Sequence, residues 1–314
     1  MRQLIIIGSG PAGYTAAIYA ARGGLEPLLI ASSVEAGGEL MNTTDVENFP
    51  GFPEGIMGPE LMEKLRAQAE RFGTEIMMDD VVSLELTSPT KSVTVGAGDT
   101  FEAAAVIYAT GSAYRKLGVP GEEEFSGRGV SWCATCDGFF FRNKTVAVIG
   151  GGDSAMEEAT FLTKFADRVF LIHRSESLRA SKAMQDRARS NPKIEFMLNS
   201  EVVTIEGEEQ VTSITVRSTT DAAETSLDVQ GVFVAIGADP RTHLVHGQLE
   251  LAPEGTIAVE GRSSRTSVPG VFAAGDVVDP TYKQAITAAG SGTVAALDAE
   301  HYLAALPEPL QTQP

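Results

Sequence analysis

Only two cysteines, four histidines and one tryptophan occur among 314 residues, and each scarcity removes a class of explanation. Two cysteines cannot build the disulfide framework of a secreted scaffold, nor a second, C-terminal redox pair. A tetrahedral zinc site needs two further nitrogen or sulfur ligands beside Cys133 and Cys136. His243 and His246 stand far beyond finger spacing, so no metal is expected. Positive charge is scarce too. With 24 Lys and Arg against 42 Asp and Glu, a net charge of −18, the chain lacks the cationic face that nucleic-acid phosphates require. No apolar run is long enough to span a bilayer. Leu4-Ile5-Ile6-Ile7 is too short for a secretory segment and leads straight into glycines. A cytoplasmic protein with neither a nucleic-acid nor a membrane partner is the expectation.

Glycine, by contrast, is plentiful. Its 32 residues provide for several loops where backbone approaches a ligand, and 43% hydrophobic with 21% charged residues is the balance of a globular enzyme. The length implies about two domains. Leu4 to Ile7 reads as a strand buried on both faces, running into Gly8-Ser9-Gly10-Pro11-Ala12-Gly13 and an alanine-rich helix through Ala21. In such a unit the first glycine turns the chain, the second admits a pyrophosphate and the third lets helix pack on strand. The helix N-terminus holds the charge.

Pro27 to Ile30 reads as the next strand, and Glu35 is the first carboxylate after it. That is the place of a ribose-binding acid, a solvated loop charge being the alternative. Gly37, Gly38, Glu39 and Asn48 continue a polar loop able to cradle an extended cofactor. Gly58 to Phe72 reads as an amphipathic helix. Residues 81–86, 92–95 and 101–105 read as short strands, and 106–109 as a separate return to the parallel sheet. Ala109-Thr110-Gly111 closes it beside the same dinucleotide, or as a plain turn.

The pattern then repeats. Val146 to Ile149 leads into Gly150-Gly151-Gly152-Asp153-Ser154-Ala155 and a helix from Met156 to Phe165, with Ala155 in the third glycine's packing role. The strand Val169 to Ile172 ends in His173-Arg174, with Arg179 and Lys182 beyond. A cation there accommodates a 2′-phosphate, so the second dinucleotide is expected to be NADPH. Residues 201–228 supply further strands, and 231–237 mirror 106–111. Val268 to Asp276 reads as a strand with an acid at its tip, followed by Lys283-Gln284-Ala285 and a helix to Leu303. Residues 307–314 are expected to form a disordered tail.

Between the two units lies Cys133-Ala134-Thr135-Cys136-Asp137. Two intervening residues put both sulfurs at the start of a helical turn, where free N–H groups favour the thiolate. A merely structural bridge this tight stabilises least, which favours redox cycling. Asp137 beside the pair reads as an acid or proton relay, or as a helix-start carboxylate.

Together these residues resemble the bacterial-type, low-molecular-weight thioredoxin reductases. Gly8 to Gly13, Ala109-Thr110-Gly111, Cys133 to Phe140, Gly150 to Ala155, His173-Arg174 with Arg179-Ala180, and Gly270 to Asp276 with Gln284-Ala285 carry the likeness over nearly the whole chain. The resemblance implies an α/β fold of two Rossmann-like, doubly wound domains. FAD would lie in a discontinuous domain of residues 1–114 and 240–306, and NADPH in an inserted domain of 115–239 that carries the cysteines. It implies a homodimer, thioredoxin as disulfide substrate, Asp276 on the cofactor's ribityl chain, and Lys283, Gln284 and Ala285 at the same cofactor. It further implies that hydride passes from NADPH to FAD and electrons then to the disulfide, with Cys136 facing the flavin and Cys133 attacking the partner.

Two departures stand out. Ser175 follows Arg174 where the family usually has a second arginine, which weakens the preference for NADPH over NADH, and Glu39 stands where many members carry glutamine. A disulfide held against flavin cannot also meet another protein, so a domain rotation is expected, with hinges at 113–118 and 237–241. Phe139-Phe140, with Arg128 nearby, reads either as a thioredoxin-docking patch or as core packing. The rival readings are a FAD-dependent dithiol oxidase, an NADH-preferring disulfide reductase of the same fold, and a redox-sensing flavoprotein.

Overall fold

A strand that is apolar at every position is stable only when both of its faces are covered. The computed structural model of the chain, which describes residues 1–34, 36–43 and 45–307, puts Leu4 to Ile7 in β1 (Arg2–Ile7), inside a parallel sheet. Leu4 and Ile6 face one layer of the core, and Ile5 and Ile7 the other. The chain forms two compact units, Met1–Ala113 with Asp239–Pro314, and Tyr114–Ala238.

In the first unit β1 leads to α1 (Pro11–Arg22) and β2 (Leu28–Ala31), and β3 (Asp45–Val46) pairs antiparallel with β4 (Ile56–Met57) ahead of α2 (Gly58–Arg71). Then follow β5 (Glu75–Met78), β6 (Val81–Glu85), β7 (Lys91–Val95), β8 (Thr100–Tyr108) and β9 (Ser112–Tyr114), the first crossing to the other unit. The sheet order is β5-β2-β1-β8-β7-β6. β8 is one nine-residue strand, not the two short ones expected. Nothing between Ala105 and Val106 breaks extension, so the strand that meets β7 antiparallel through Ala103 runs on parallel to β1 through Tyr108.

The second unit repeats the design. It contains β10 (Val130–Ser131), α3 (Ala134–Asp137), β11 (Thr145–Ile149), α4 (Asp153–Leu162), β12 (Arg168–Ile172), α5 (Lys182–Arg189) and β13 (Ile194–Met197). β14 (Ser200–Gly207), β15 (Val211–Ser218) and β16 (Glu224–Asp228) form an antiparallel sheet, and β17 (Gly231–Val234) returns to the parallel one, ordered β10-β17-β11-β12-β13. β18 (Ala238–Pro240) is the second crossing. Helix α4 begins at Asp153 rather than Met156, because the last glycine of the turn already serves as its N-cap.

Back in the first unit, β19 (Val271–Ala273) pairs with the second half of β8, and α6 (Ala285–Ala305) packs on α1. Alanines at 16, 17, 20, 295, 296 and 299 allow that close approach. A Cβ added to Gly292 would lie 2.2 Å from the Ala12 carbonyl oxygen. These are two Rossmann-like dinucleotide folds, the second inserted into the first. Among the described residues no helix is long and apolar enough to cross a membrane, and no group of His, Cys, Asp and Glu could hold a metal ion.

Candidate functional site

The turn after β1 is packed where close contact is needed and open where a ligand would lie. A Cβ on Gly13 would stand 1.9 Å from the Gly8 oxygen and one on Gly8 2.3 Å from that of Ala109, whereas nothing lies within 4 Å of a Cβ on Gly10. That open face at a helix N-terminus fits a pyrophosphate. Residues far apart in sequence converge beside it. The Gly37 N–H donates to buried Ser9 Oγ (2.9 Å), and a Cβ on Gly38 would lie 3.5 Å from the Gly10 Cα. Asn48 Nδ2 donates to Gln284 Oε1 (3.4 Å).

Ser112 Oγ donates to Asp276 Oδ2 (3.4 Å), and burial above all, with Asp279 adding to it, pushes the Asp276 carboxyl up to about 6. Lys283 adopts φ +48°, its N–H held by Asp279 (3.0 Å), just before the Gln284 cap of α6. Glu35, the expected ribose acid, lies outside the described residues, as does the expected tail from 308 to 314.

The turn after β11 has the same form. A Cβ on Gly150 would meet the Ala235 oxygen at 2.3 Å, and Gly152 faces open space. The His173 ring covers Gly151, whose oxygen accepts from the Arg179 and Ala180 N–H groups (2.7 and 3.0 Å). Burial chiefly lowers the His173 pKa, and its Nε2 lies 3.2 Å from the Ser177 oxygen. Arg174, Arg179 and Lys182 stand exposed at the tip of β12. Asp153 Oδ1 accepts from the Ser181 N–H and Oγ (2.8 and 2.9 Å), which ties that tip to the start of α4, beside Ser154.

In the same unit Cys133 and Cys136 form a disulfide with Cα atoms 5.3 Å apart. Cys133 is the N-cap of α3, and its oxygen accepts from the Cys136 and Asp137 N–H groups (3.2 and 3.1 Å). Ser131, which sequence reasoning missed, holds the pair from below. Its Oγ accepts from the Cys133 N–H (3.0 Å). Asp137 is held above the ordinary carboxylate range by burial, against the opposing pull of a Ser131 hydrogen bond. The only sequence signal for Ser131 was its place two residues before Cys133.

Phe139 and Phe140 are 48% and 37% exposed, which excludes core packing for them. Arg142 stacks on Phe139 (4.3 Å), and Phe165 meets it edge-on (6.1 Å). Arg128 is engaged elsewhere, donating to the Glu124 oxygen and lying over Phe125.

Comparison with known proteins agrees with this arrangement. The family described as pyridine nucleotide-disulphide oxidoreductase matches residues 2–292. The thioredoxin reductase of Streptomyces clavuligerus is 62% identical, covering 98% of this chain and 95% of that one. A bifunctional thioredoxin reductase/thioredoxin of Mycobacterium leprae is 57% identical over 97% of this chain and 66% of its own length. The solved thioredoxin reductase from Giardia duodenalis superposes with a TM-score of 0.92 at 42% identity, over 97% of this chain and 100% of that one. With two glycine turns framed for dinucleotides and one vicinal cysteine pair, the chain belongs to the pyridine nucleotide-disulphide oxidoreductases, in their thioredoxin reductase group.

Proposed function

We propose that the protein is an NADPH-dependent thioredoxin-disulfide reductase acting in the cytoplasm. The observation that carries this reading is a lone redox disulfide at a helix start, inside a unit with its own glycine turn and a cationic strand tip. FAD would be held by Gly8 to Gly13, Gly37 to Glu39, Asn48, Ala109 to Gly111, Gly275, Asp276 and Lys283 to Ala285. NADPH would be held by Gly150, Gly152, Asp153, Ser154, His173, Arg174 and Arg179. When bound, NADPH supplies the hydride equivalent and FAD relays the electron pair.

The chain's own residues do the rest. Cys133 and Cys136 accept two electrons on opening, and Cys133 as thiolate attacks the partner's disulfide. Asp137 holds a proton for the leaving sulfur, burial keeping its carboxyl protonated to higher pH than usual. Exposed Phe139 and Phe140, with Arg142, offer thioredoxin an apolar and cationic surface beside the sulfurs. That the M. leprae relative is named for both activities supports thioredoxin as the partner. Because the pair belongs to one unit and the FAD cradle to the other, the units turn between half-reactions.

The test is oxidation of NADPH that depends on added oxidised thioredoxin; consumption indifferent to thioredoxin sinks the reading. In the same assay Arg174→Ala with Arg179→Ala is expected to raise the KM for NADPH by about tenfold and leave that for NADH nearly unchanged. An equal rise for both coenzymes rules out phosphate recognition by these arginines.

The homodimer is proposed on α6. Its inner face is alanine and glycine, yet Ile286, Val294 and Leu297 lie exposed on the outer face (43%, 37% and 43%). Apolar side chains exposed together on one helix face are normally covered by a partner, and a second copy would supply that cover. Sedimentation is expected to give a dimer for the parent chain and a monomer for Leu297→Asp. A Leu297→Asp dimer as tight as the parent's places the interface elsewhere.

A further inference from the structure

The second crossing enters the first unit at Asp239, and two residues later stands Arg241. Its oxygen accepts two hydroxyl hydrogen bonds, from Tyr108 (2.8 Å) and from Thr110 (2.9 Å), which uses both lone pairs. Its N–H donates to the Gly111 oxygen (3.0 Å). Its guanidinium pairs with Glu39 Oε1 (3.2 Å). Tyr108 is fully buried, and burial pushes its hydroxyl up to about 12, so the donor stays neutral at any working pH.

These partners are not scattered. Tyr108 ends β8, Thr110 and Gly111 follow it, and together they form one wall of the first dinucleotide cradle, where the Ala109 oxygen presses on Gly8. Glu39 belongs to the opposite wall, in the turn Gly38–Asn42 that lies against Gly10. Arg241 therefore grips both walls of the cradle while standing at the foot of a crossing. On the far side each crossing is bracketed inside the second unit. The Arg115 N–H donates to the Gly237 oxygen (3.0 Å), and Glu122, 1% exposed, accepts the Leu117 and Gly118 N–H groups (2.8 and 2.7 Å). The glycines expected to act as hinges are thus bonded within their own unit, and turning is confined to residues between the brackets.

We propose that Arg241 is a positioning residue for the reductase cycle, fastening the second crossing to both walls of the FAD cradle so that the setting of the cradle and the turning of the units are coupled. This rests on the reading of the protein as a thioredoxin reductase whose units turn. Movement of either wall reaches the crossing through a rigid backbone anchor on one side and an ion pair on the other. The anchor fixes the pivot, and the ion pair adjusts it. A half-exposed ion pair and one buried hydrogen bond each change an equilibrium severalfold, which suits a bias rather than a lock.

The experiment uses the flavin-loaded enzyme with a donor and an acceptor dye, carried by unnatural amino acids at exposed Glu54 and Asp221, one site in each unit. Energy transfer is recorded in the oxidised enzyme and after NADPH addition, alongside kcat and KM for thioredoxin. Arg241→Met is expected to shift the ratio of the two transfer states by about fivefold and to lower kcat by a similar factor at unchanged KM. Arg241→Lys, which keeps the charge, is expected to restore part of both.

Tyr108→Phe, which removes one anchor and leaves the ion pair, is expected to shift the same ratio and serves should Arg241→Met fail to fold. A ratio and a kcat equal to the parent's in both Arg241→Met and Tyr108→Phe overturn the proposal. Unchanged transfer in the parent enzyme on NADPH addition overturns the turning of the units itself, and the proposal with it.

Discussion

Cys136→Ser is expected to lower thioredoxin-dependent NADPH oxidation by about a thousandfold or more, because no other thiol in the chain can take over. Loss of activity alone would not separate the roles of the two sulfurs, but the local structure predicts an asymmetry. Cys133 caps α3, its N–H held by Ser131 (3.0 Å) and its sulfur 3.3 Å from Thr135 Oγ1. Both contacts survive when Cys136 becomes serine. The remaining Cys133 thiolate therefore still attacks an oxidised thioredoxin. One new S–S bond forms, the partner's own bond breaks, and its leaving sulfur takes a proton. With no second thiol to resolve it, the mixed disulfide accumulates and is visible by mass spectrometry as a one-to-one adduct that a reductant releases. Cys133→Ser is expected to be equally inactive and to give no such adduct. An adduct formed only by Cys133→Ser would exchange the two roles, and turnover surviving in either variant would remove the pair from the reaction.

How legible the molecule is from its residues depends on the range of the interaction. The units β1–turn–α1 and β11–turn–α4 are written in contiguous stretches, since a wholly apolar strand, a glycine turn and a small-residue helix each declare themselves locally. Where the local signal is weak the reading fails. α5 and β13 were not expected, because Lys182 to Arg189 is polar almost throughout and buries only Ala188. Glu75 to Met78 was missed as β5 because a short edge strand leaves half its side chains in water.

The site divides in the same way. Gly10, Gly152, Cys133 and Cys136 are readable, since their chemistry is in the residue and its near neighbours. The contact of Asn48 with Gln284 spans 236 positions, and the grip of Arg241 on Tyr108 and Glu39 spans 133 and 202. No sequence period reports such distances; only the closing of the sheet does. For Phe139 and Phe140 composition left two readings open, and their exposure removes the core-packing one.

Glu158 is the clearest case of a residue whose importance exists only in the fold, and a large pH effect is expected from it. On α4 it shares a face with Ala155 and Leu162, which pack with Ala134 of the redox helix in one apolar cluster. Its Oε2 is buried without a hydrogen-bond partner, and burial first, with Glu157 adding, pushes its carboxyl up to about 8. In the unfolded chain the group ionises at the ordinary glutamate value of 4.5. Between those two values the folded protein keeps a proton that the unfolded chain has released, so stability falls as pH rises through the window. Below it both states are protonated and there is no penalty. Above about pH 8 the penalty is complete, on the order of 5 kcal/mol.

Glu158→Gln keeps the shape and cannot ionise. Its melting temperature is therefore expected to match the parent's at pH 5 and to exceed it at pH 8.5 by about 5 °C or more in the transition of the second unit. Asp137, raised by burial in the same unit, contributes with the same sign, so only the difference between variant and parent isolates Glu158. A gap that is the same at both pH values would mean that Glu158 is already ionised in the folded chain, with water or a cation at the oxygen that here has no partner.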